Sequence, residues 1–243
     1  MALSSDTQKQ AVWPRRMNHW TVRWALLLVL LVAVSWYRFE HMQANPAPPG
    51  SDAGNWLAFG RELMGQDVKA ARAAYPPVFP AITWWMANRI GPLEAGKVLG
   101  SLSSVLSGIP LYLIAVSEAP WGLALVGTAA FLATGYRSEV VAFGGYPQLL
   151  AEAFALAALW LFAVGVMRRS LTAVGMGAIF TSLVVGTHHL TSLFLFGSLL
   201  ACSLVLLGQG ASGRSIVRMG VWFGLVSAIL SVPYAATYYA MVR

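Results

Sequence analysis

The sequence predicts an all-α polytopic membrane protein, with about seven transmembrane helices and two more helices lying at the membrane surface. Three observations carry this. Of 243 residues, 58% are hydrophobic and only 10% are charged, and the mean hydropathy of +0.65 lies outside the globular range. The apolar residues form long Leu/Ala/Val-rich runs and lack the two-residue alternation of an outer-membrane barrel. Most Lys and Arg residues sit in short loops between the runs, where they set topology. That placement accounts for the net charge of +7 through anionic lipid, without nucleic acid.

Residues 1–19, with Lys9, Arg15 and Arg16, are predicted to form a cytoplasmic tail, and 20–243 a single transmembrane domain. The run 20–37 has aromatic ends (Trp20, Trp24, Trp36, Tyr37) and no A-x-A site after it. It reads as an uncleaved signal-anchor and first span. An external loop over about 38–94 follows. Within it, a helix starting near Ala53 carries Trp56, Phe59, Leu63 and Met64 on one face, with Arg61 and Glu62 away from it. Tyr75-Pro76-Pro77 imposes an extended entry to a second helix over 77–92, because each Pro restricts the residue before it. VFPAITWWMANRIG is too short and too polar at its end to cross, and its paired Trp residues suit an interface.

The remaining spans are predicted at 95–117, 120–135, 146–167, 171–187, 190–207 and 215–240. With the N-terminus inside, Arg168, Arg169 and Arg214 fall in cytoplasmic loops. A crossing at 77–92 would move them outside, so the positive-inside bias favours seven spans. Arg38, Arg61, Lys69, Arg72 and Arg89 in the first external loop run against that bias, which long translocated loops obey weakly. The expected location is the plasma membrane, with the N-terminus cytoplasmic and the C-terminus external.

Nearly all residues capable of chemistry then fall on the external face. Asp52 has two readings. Ser51 or Asp52 can cap the helix at Ala53, and a carboxylate there can also serve as a base. Glu152 lies about one turn inside the span that opens with GGYPQ. An acid there marks a functional site, or else a partner for Arg137. His188 and His189 point about 100° apart on a helix, which suits hydrogen bonding to a phosphate or sugar, or an interface, better than chelation. Arg137 and Lys97 can hold an anion or simply anchor an interface. Tyr75, Glu139, Tyr146 and Gln148 complete the external set of candidate substrate contacts.

No nucleotide, zinc-protease or CxxC motif occurs. Cys202 stands alone, so the chain can form neither an internal disulfide nor a thiolate metal site. No metal site and no definite cofactor is expected. The Ala/Gly/Ser positions, as in GTAAFLATG, are helix-packing residues. No internal repeat supports an inverted-repeat transporter.

The order of features resembles the GT-C fold glycosyltransferases, integral-membrane enzymes that use polyprenyl-phosphate-linked sugars. It runs from SDAGNWLAFGREL after the first span, through Y-P-P-x-F-P and GGYPQLL, to the basic MRR loop and the T-H-x-L-T turn. The likeness covers roughly 20–240. It implies a seven-span module with two juxtamembrane helices in the first external loop. It also implies transfer of a sugar from a lipid phosphate to an acceptor hydroxyl, with inversion and with Asp52 as general base. Basic external residues (Arg137, Lys97, then His188) would stabilise the leaving phosphate.

Many members carry paired acids in this loop. D-A-G-N has one, which counts against dependence on a divalent metal. The chain also stops where the seven-span module ends, whereas larger relatives continue. Two other classes stay open. One is a non-catalytic scaffold or accessory subunit packed against a partner membrane subunit. The other is a lipid-linked-sugar transporter.

Overall fold

A computed structural model describes residues 20–50, 52–66 and 75–242. The tail 1–19 with Lys9, Arg15 and Arg16, the alternative cap Ser51, and residues 67–74 with Asp67, Lys69 and Arg72 lie outside the described residues. Among those described, every regular element is an α-helix. In order these are α1 (Trp20–Gln43), α2 (Ala53–Leu63), α3 (Val78–Ile90), α4 (Pro92–Leu106), α5 (Gly108–Glu118) and α6 (Trp121–Leu132), followed by α7 (Gly135–Phe143), α8 (Tyr146–Arg168), α9 (Leu171–Thr187), α10 (His189–Gly208) and α11 (Gly213–Val242).

Five stretches are long and apolar enough to cross a membrane: α1, α4 with α5, α8, α10, and α11 as far as Thr237. Helices α6 and α9 are apolar but shorter. The break between α4 and α5 at Ser107 has a local cause. Pro110 has no N–H to give to the carbonyl of Leu106, so the helix is interrupted one turn before it. Ser170 starts α9 by accepting from the Ala173 N–H at 3.2 Å.

Helix ends gather in two groups. At one end Gln43 of α1 bonds Glu94 and Lys97 of α4, Tyr146 of α8 bonds the carbonyl of Pro49, and Val78 of α3 meets Gly186 and Tyr234. At the other end the Arg23 guanidinium lies 5.7 Å from the Trp121 ring centroid, and Ser215 of α11 donates to the carbonyl of Val166. Both ends of α3 belong to the first group, since Val78 meets Gly186 and Ile90 leads directly into α4. Thirteen residues cover about 20 Å, against a hydrocarbon core of about 30 Å. Helix α3 therefore turns back on the side where it starts. By contrast α6 runs beside α1, from the level of Arg23 to that of Arg38, whose Nη2 donates to the carbonyl of Leu132.

Three buried clusters divide the interior. One joins α8, α9, α10 and α11 around Ala158, Phe162 and Phe223. A second joins α1, α4, α5 and α6 around Leu27, Tyr112 and Leu132. The third lies under the first group of helix ends and contains Met42, Trp56, Phe59, Phe79, Leu99 and Tyr146. Two details depart from the sequence expectations. Helix α1 continues to Gln43, so Arg38 sits inside a helix and not in a loop. Met64 ends α2 and is exposed, while the buried face of α2 is Trp56, Phe59 and Gly60.

Gly50 holds a φ of +101°, and a Cβ there would stand 2.2 Å from the backbone nitrogen of Gly144. Gly50→Ala is expected to lower stability by about 2 kcal/mol or more, through left-handed strain and backbone overlap. Gly54, inside α2 with open space around it, gives the opposite sign: Gly54→Ala raises stability by about 0.5–1 kcal/mol. Thermal unfolding of both variants in one detergent checks the pair.

Candidate functional site

The site is built where the loop after α1 lies on the turn between α7 and α8. Helix α7 ends at Gly144 in the left-handed conformation, φ +80°, with the N–H groups of Gly144 and Gly145 returned to Val141 and Val140. Gly50 lies directly against this turn. Two hydrogen bonds fasten the contact. Trp56 Nε1 donates to the carbonyl of Gly144 at 2.9 Å, and the Tyr146 hydroxyl donates to that of Pro49 at 2.6 Å. On α4, Gly96 leaves room for Pro48 and Gly100 for the Tyr146 ring.

This seating puts Asp52 at the N-cap position of α2, yet its carboxylate caps nothing. It accepts instead from the side-chain amide of Asn55 at 3.2 Å. The carboxylate borders a cavity of about 310 Å³ that Trp56, Tyr75, Pro147, Gln148 and His188 also line. Four of the ten residues singled out in the sequence, Asp52, Tyr75, Gln148 and His188, thus meet at one cavity, although up to 136 positions separate them.

The electrostatics of that cavity follow from its walls. Tyr75 packs between Trp56 (ring centroids 4.6 Å) and the two histidines (6.4 and 6.1 Å). Burial, and then the Asp52 charge, push its hydroxyl well above the usual phenol range, so it stays a donor. His188 caps α10: its Nδ1 accepts from the Thr191 N–H at 3.2 Å and lies 2.8 Å from the Thr191 hydroxyl. Burial, and then His189, push its pKa down to about 4. The ring is neutral at pH 7 with Nδ1 as acceptor, which leaves the proton on Nε2.

Gln148 connects the cavity to a second group. Its amide donates to the Tyr136 hydroxyl and lies 3.5 Å from Glu152, to which Tyr136 donates at 3.0 Å. Glu152 in turn pairs with Arg137 at 3.0 Å. Arg137 is fully buried at 0% exposure, donates to the carbonyl of Ser104 at 2.8 Å and lies 4.2 Å from the Phe131 ring centroid. Burial lowers the Arg137 pKa, opposed by Glu152 and Tyr136. Burial and Glu152 raise that of Tyr136.

The other candidates lie apart from the cavity. Lys97 is buried near the start of α4, donating to Gln43 at 2.9 Å with Glu94 at 3.7 Å. Tyr146 is buried and acts through Pro49. Glu139 is on the exposed side of α7. His189 stacks on His188 but lines a different cavity between α9, α10 and α11. Among the described residues no cluster of three or more metal-ligating side chains occurs.

Sequence reasoning missed Trp56 as a donor, Tyr136 as a link to Glu152, and Arg38. For Arg38 the signal was present: it was one of the cations that ran against the positive-inside bias. Comparison with known families, with curated proteins and with solved structures finds nothing that matches the chain.

Two outcomes follow. Glu152→Leu strands the buried Arg137 charge and is expected to cost about 3 kcal/mol. Adding Arg137→Met to it recovers most of that loss, a non-additivity readable by thermal unfolding of the single and double variants. His188 binds a proton less readily folded (about 4) than unfolded (6.5). Its contribution to stability is therefore complete above pH 6.5 and is lost as pH falls from 6.5 towards 4. A His188→Asn variant, which keeps a capping side chain, should flatten that part of the unfolding-temperature profile.

Proposed function

We propose that the chain is an integral-membrane glycosyltransferase that moves a sugar from a polyprenyl-phosphate-linked donor to an acceptor hydroxyl on the extracytoplasmic side. The observation that carries this is Asp52. It occupies a capping position without capping, and its carboxylate borders a cavity walled by three hydrogen-bonding side chains from distant parts of the chain. A carboxylate that serves only the helix would spend its lone pairs on backbone N–H groups.

In the proposed reaction the Asp52 carboxylate takes the proton from the acceptor hydroxyl as that oxygen bonds the anomeric carbon. The bond from that carbon to the phosphate oxygen breaks on the opposite face, and its electron pair leaves with the polyprenyl phosphate. The anomeric configuration inverts. The neutral His188, with its proton on Nε2, and the Tyr75 hydroxyl are the donors available to the phosphate or sugar. The topology that goes with this has seven crossings, with α6 and α9 counted, α2 and α3 on the external surface, the N-terminus cytoplasmic and the plasma membrane as host. Its support is the sorting of helix ends into two groups and the return of α3 to its own side.

One observation favours the accessory-subunit reading instead. Among the described residues, no Lys or Arg lines the Asp52 cavity, so the leaving phosphate has hydrogen-bond donors there but no cation. One assay separates the two. Transfer of labelled sugar from a lipid extract by the purified chain should fall about 10²–10⁴-fold in Asp52→Asn, with an unchanged unfolding temperature. Equal transfer by both proteins would remove Asp52 as the base. No transfer by the wild type, together with a stoichiometric co-purifying membrane partner, would favour the accessory subunit.

A further inference from the structure

Arg38 presents a charge problem that the Asp52 site leaves unsolved. It is only 8% exposed, five residues before the last residue of a membrane-length apolar helix. A cation at such a depth is costly and calls for a partner. Its Nη1 donates to the carbonyl of Ser104 at 3.0 Å and its Nη2 to that of Leu132 at 2.5 Å. Arg137 donates to the same Ser104 carbonyl. Two guanidinium groups therefore converge on one carbonyl oxygen. The ion pairs among the described residues give Glu152 to Arg137 and no carboxylate to Arg38. A guanidinium offers five N–H donors, and two carbonyls occupy two of them. Among the described residues, the group is left with spare donors and a positive charge that no carboxylate pairs.

That charge borders a cavity of about 560 Å³ between α1, the end of α6, and α7. His41 and Asn45 lie beyond Arg38 towards the end of α1, while Val34, Leu132 and Ala142 give it apolar walls. The His41 Nδ1–H donates to the carbonyl of Tyr37 at 2.8 Å. The lining mixes polar side chains (Tyr37, Arg38, His41, Asn45, Ser138) with apolar ones (Val34, Met42, Leu132, Val141), which suits a phosphate head that carries acyl chains. It is also separate from the Asp52 site. Helix α7 turns Ser138, Val141 and Ala142 towards this cavity and Val140 and Phe143 towards the other.

We infer that the cavity between α1, α6 and α7 holds the phosphate of an anionic membrane phospholipid against Arg38, with acyl chains along the apolar walls. A free anion would match the charge but not the apolar walls, and a zwitterionic lipid would bring its own cation and leave the charge of Arg38 uncompensated. The inference stands independently of glycosyl transfer.

The test uses the full chain in neutral detergent with added phosphatidylglycerol, phosphatidylcholine or inorganic phosphate. Bound lipid is read by native mass spectrometry and stability by thermal unfolding. Phosphatidylglycerol should be retained at least about fivefold over phosphatidylcholine, as expected for one basic residue, and should alone raise the unfolding temperature. Arg38→Gln should abolish the preference. Ala142→Phe fills the cavity and leaves both Arg38 hydrogen bonds in place, so it decides the matter if Arg38→Gln fails to fold. Equal retention of the two lipids, equal stabilisation by inorganic phosphate, or a preference that survives Ala142→Phe would each overturn the inference.

Discussion

The architecture around the Asp52 cavity depends on one backbone contact, the approach of Gly50 to Gly144. Both residues hold positive φ, and a side chain on Gly50 would overlap the turn it rests on. The contact brings together a loop that ends the first long helix and a turn that starts the third long stretch, 94 positions later in the sequence. The Trp56 and Tyr146 hydrogen bonds close it from either side. Because α2 starts three residues after Gly50, the direction of Asp52 is fixed by this seating. So is the packing of Trp56 against Tyr75, and through Tyr75 the junction of α9 with α10.

Close to that contact, two arginines, Arg38 and Arg137, donate to helix backbone carbonyls. Ser104 supplies one carbonyl to two arginines, and the break after α4 is close to it in sequence. Ordinary helical carbonyls are already used by the N–H four residues on. Those of the last turn before a break lack that partner and are free to accept from side chains. Ser104 lies in that last turn, so its carbonyl can serve Arg38 and Arg137. Glu152 then balances only one of the two charges.

Much of this fold was legible because membrane helices must satisfy their own backbone, which writes them as long apolar runs. The bounds of α8, α9 and α10 follow directly from run length, and the start of α3 from Pro76-Pro77. The break at Ser107 was less legible, since Pro110 lies within an apolar run and Pro is tolerated in such helices. In the site, candidate polar residues could be named from loop position, yet sequence gives no distance between loops. It could not say that Gln148 and His188 meet Asp52 while Lys97 turns to Gln43. It also could not say whether Asp52 caps α2, which depends on a backbone conformation (φ −90°, ψ −11°) invisible in the residue types.

The central claim is that the loop after α1 holds Asp52 over the same cavity as Gln148. Cross-linking tests this without relying on any activity. In a Cys202→Ala background, Asp52→Cys with Gln148→Cys should be joined within one chain by a short bifunctional thiol reagent, while Asp52→Cys with Lys97→Cys should not. Efficient joining of the second pair and none of the first would place the carboxylate on the wrong side of the α7–α8 turn and contradict the account.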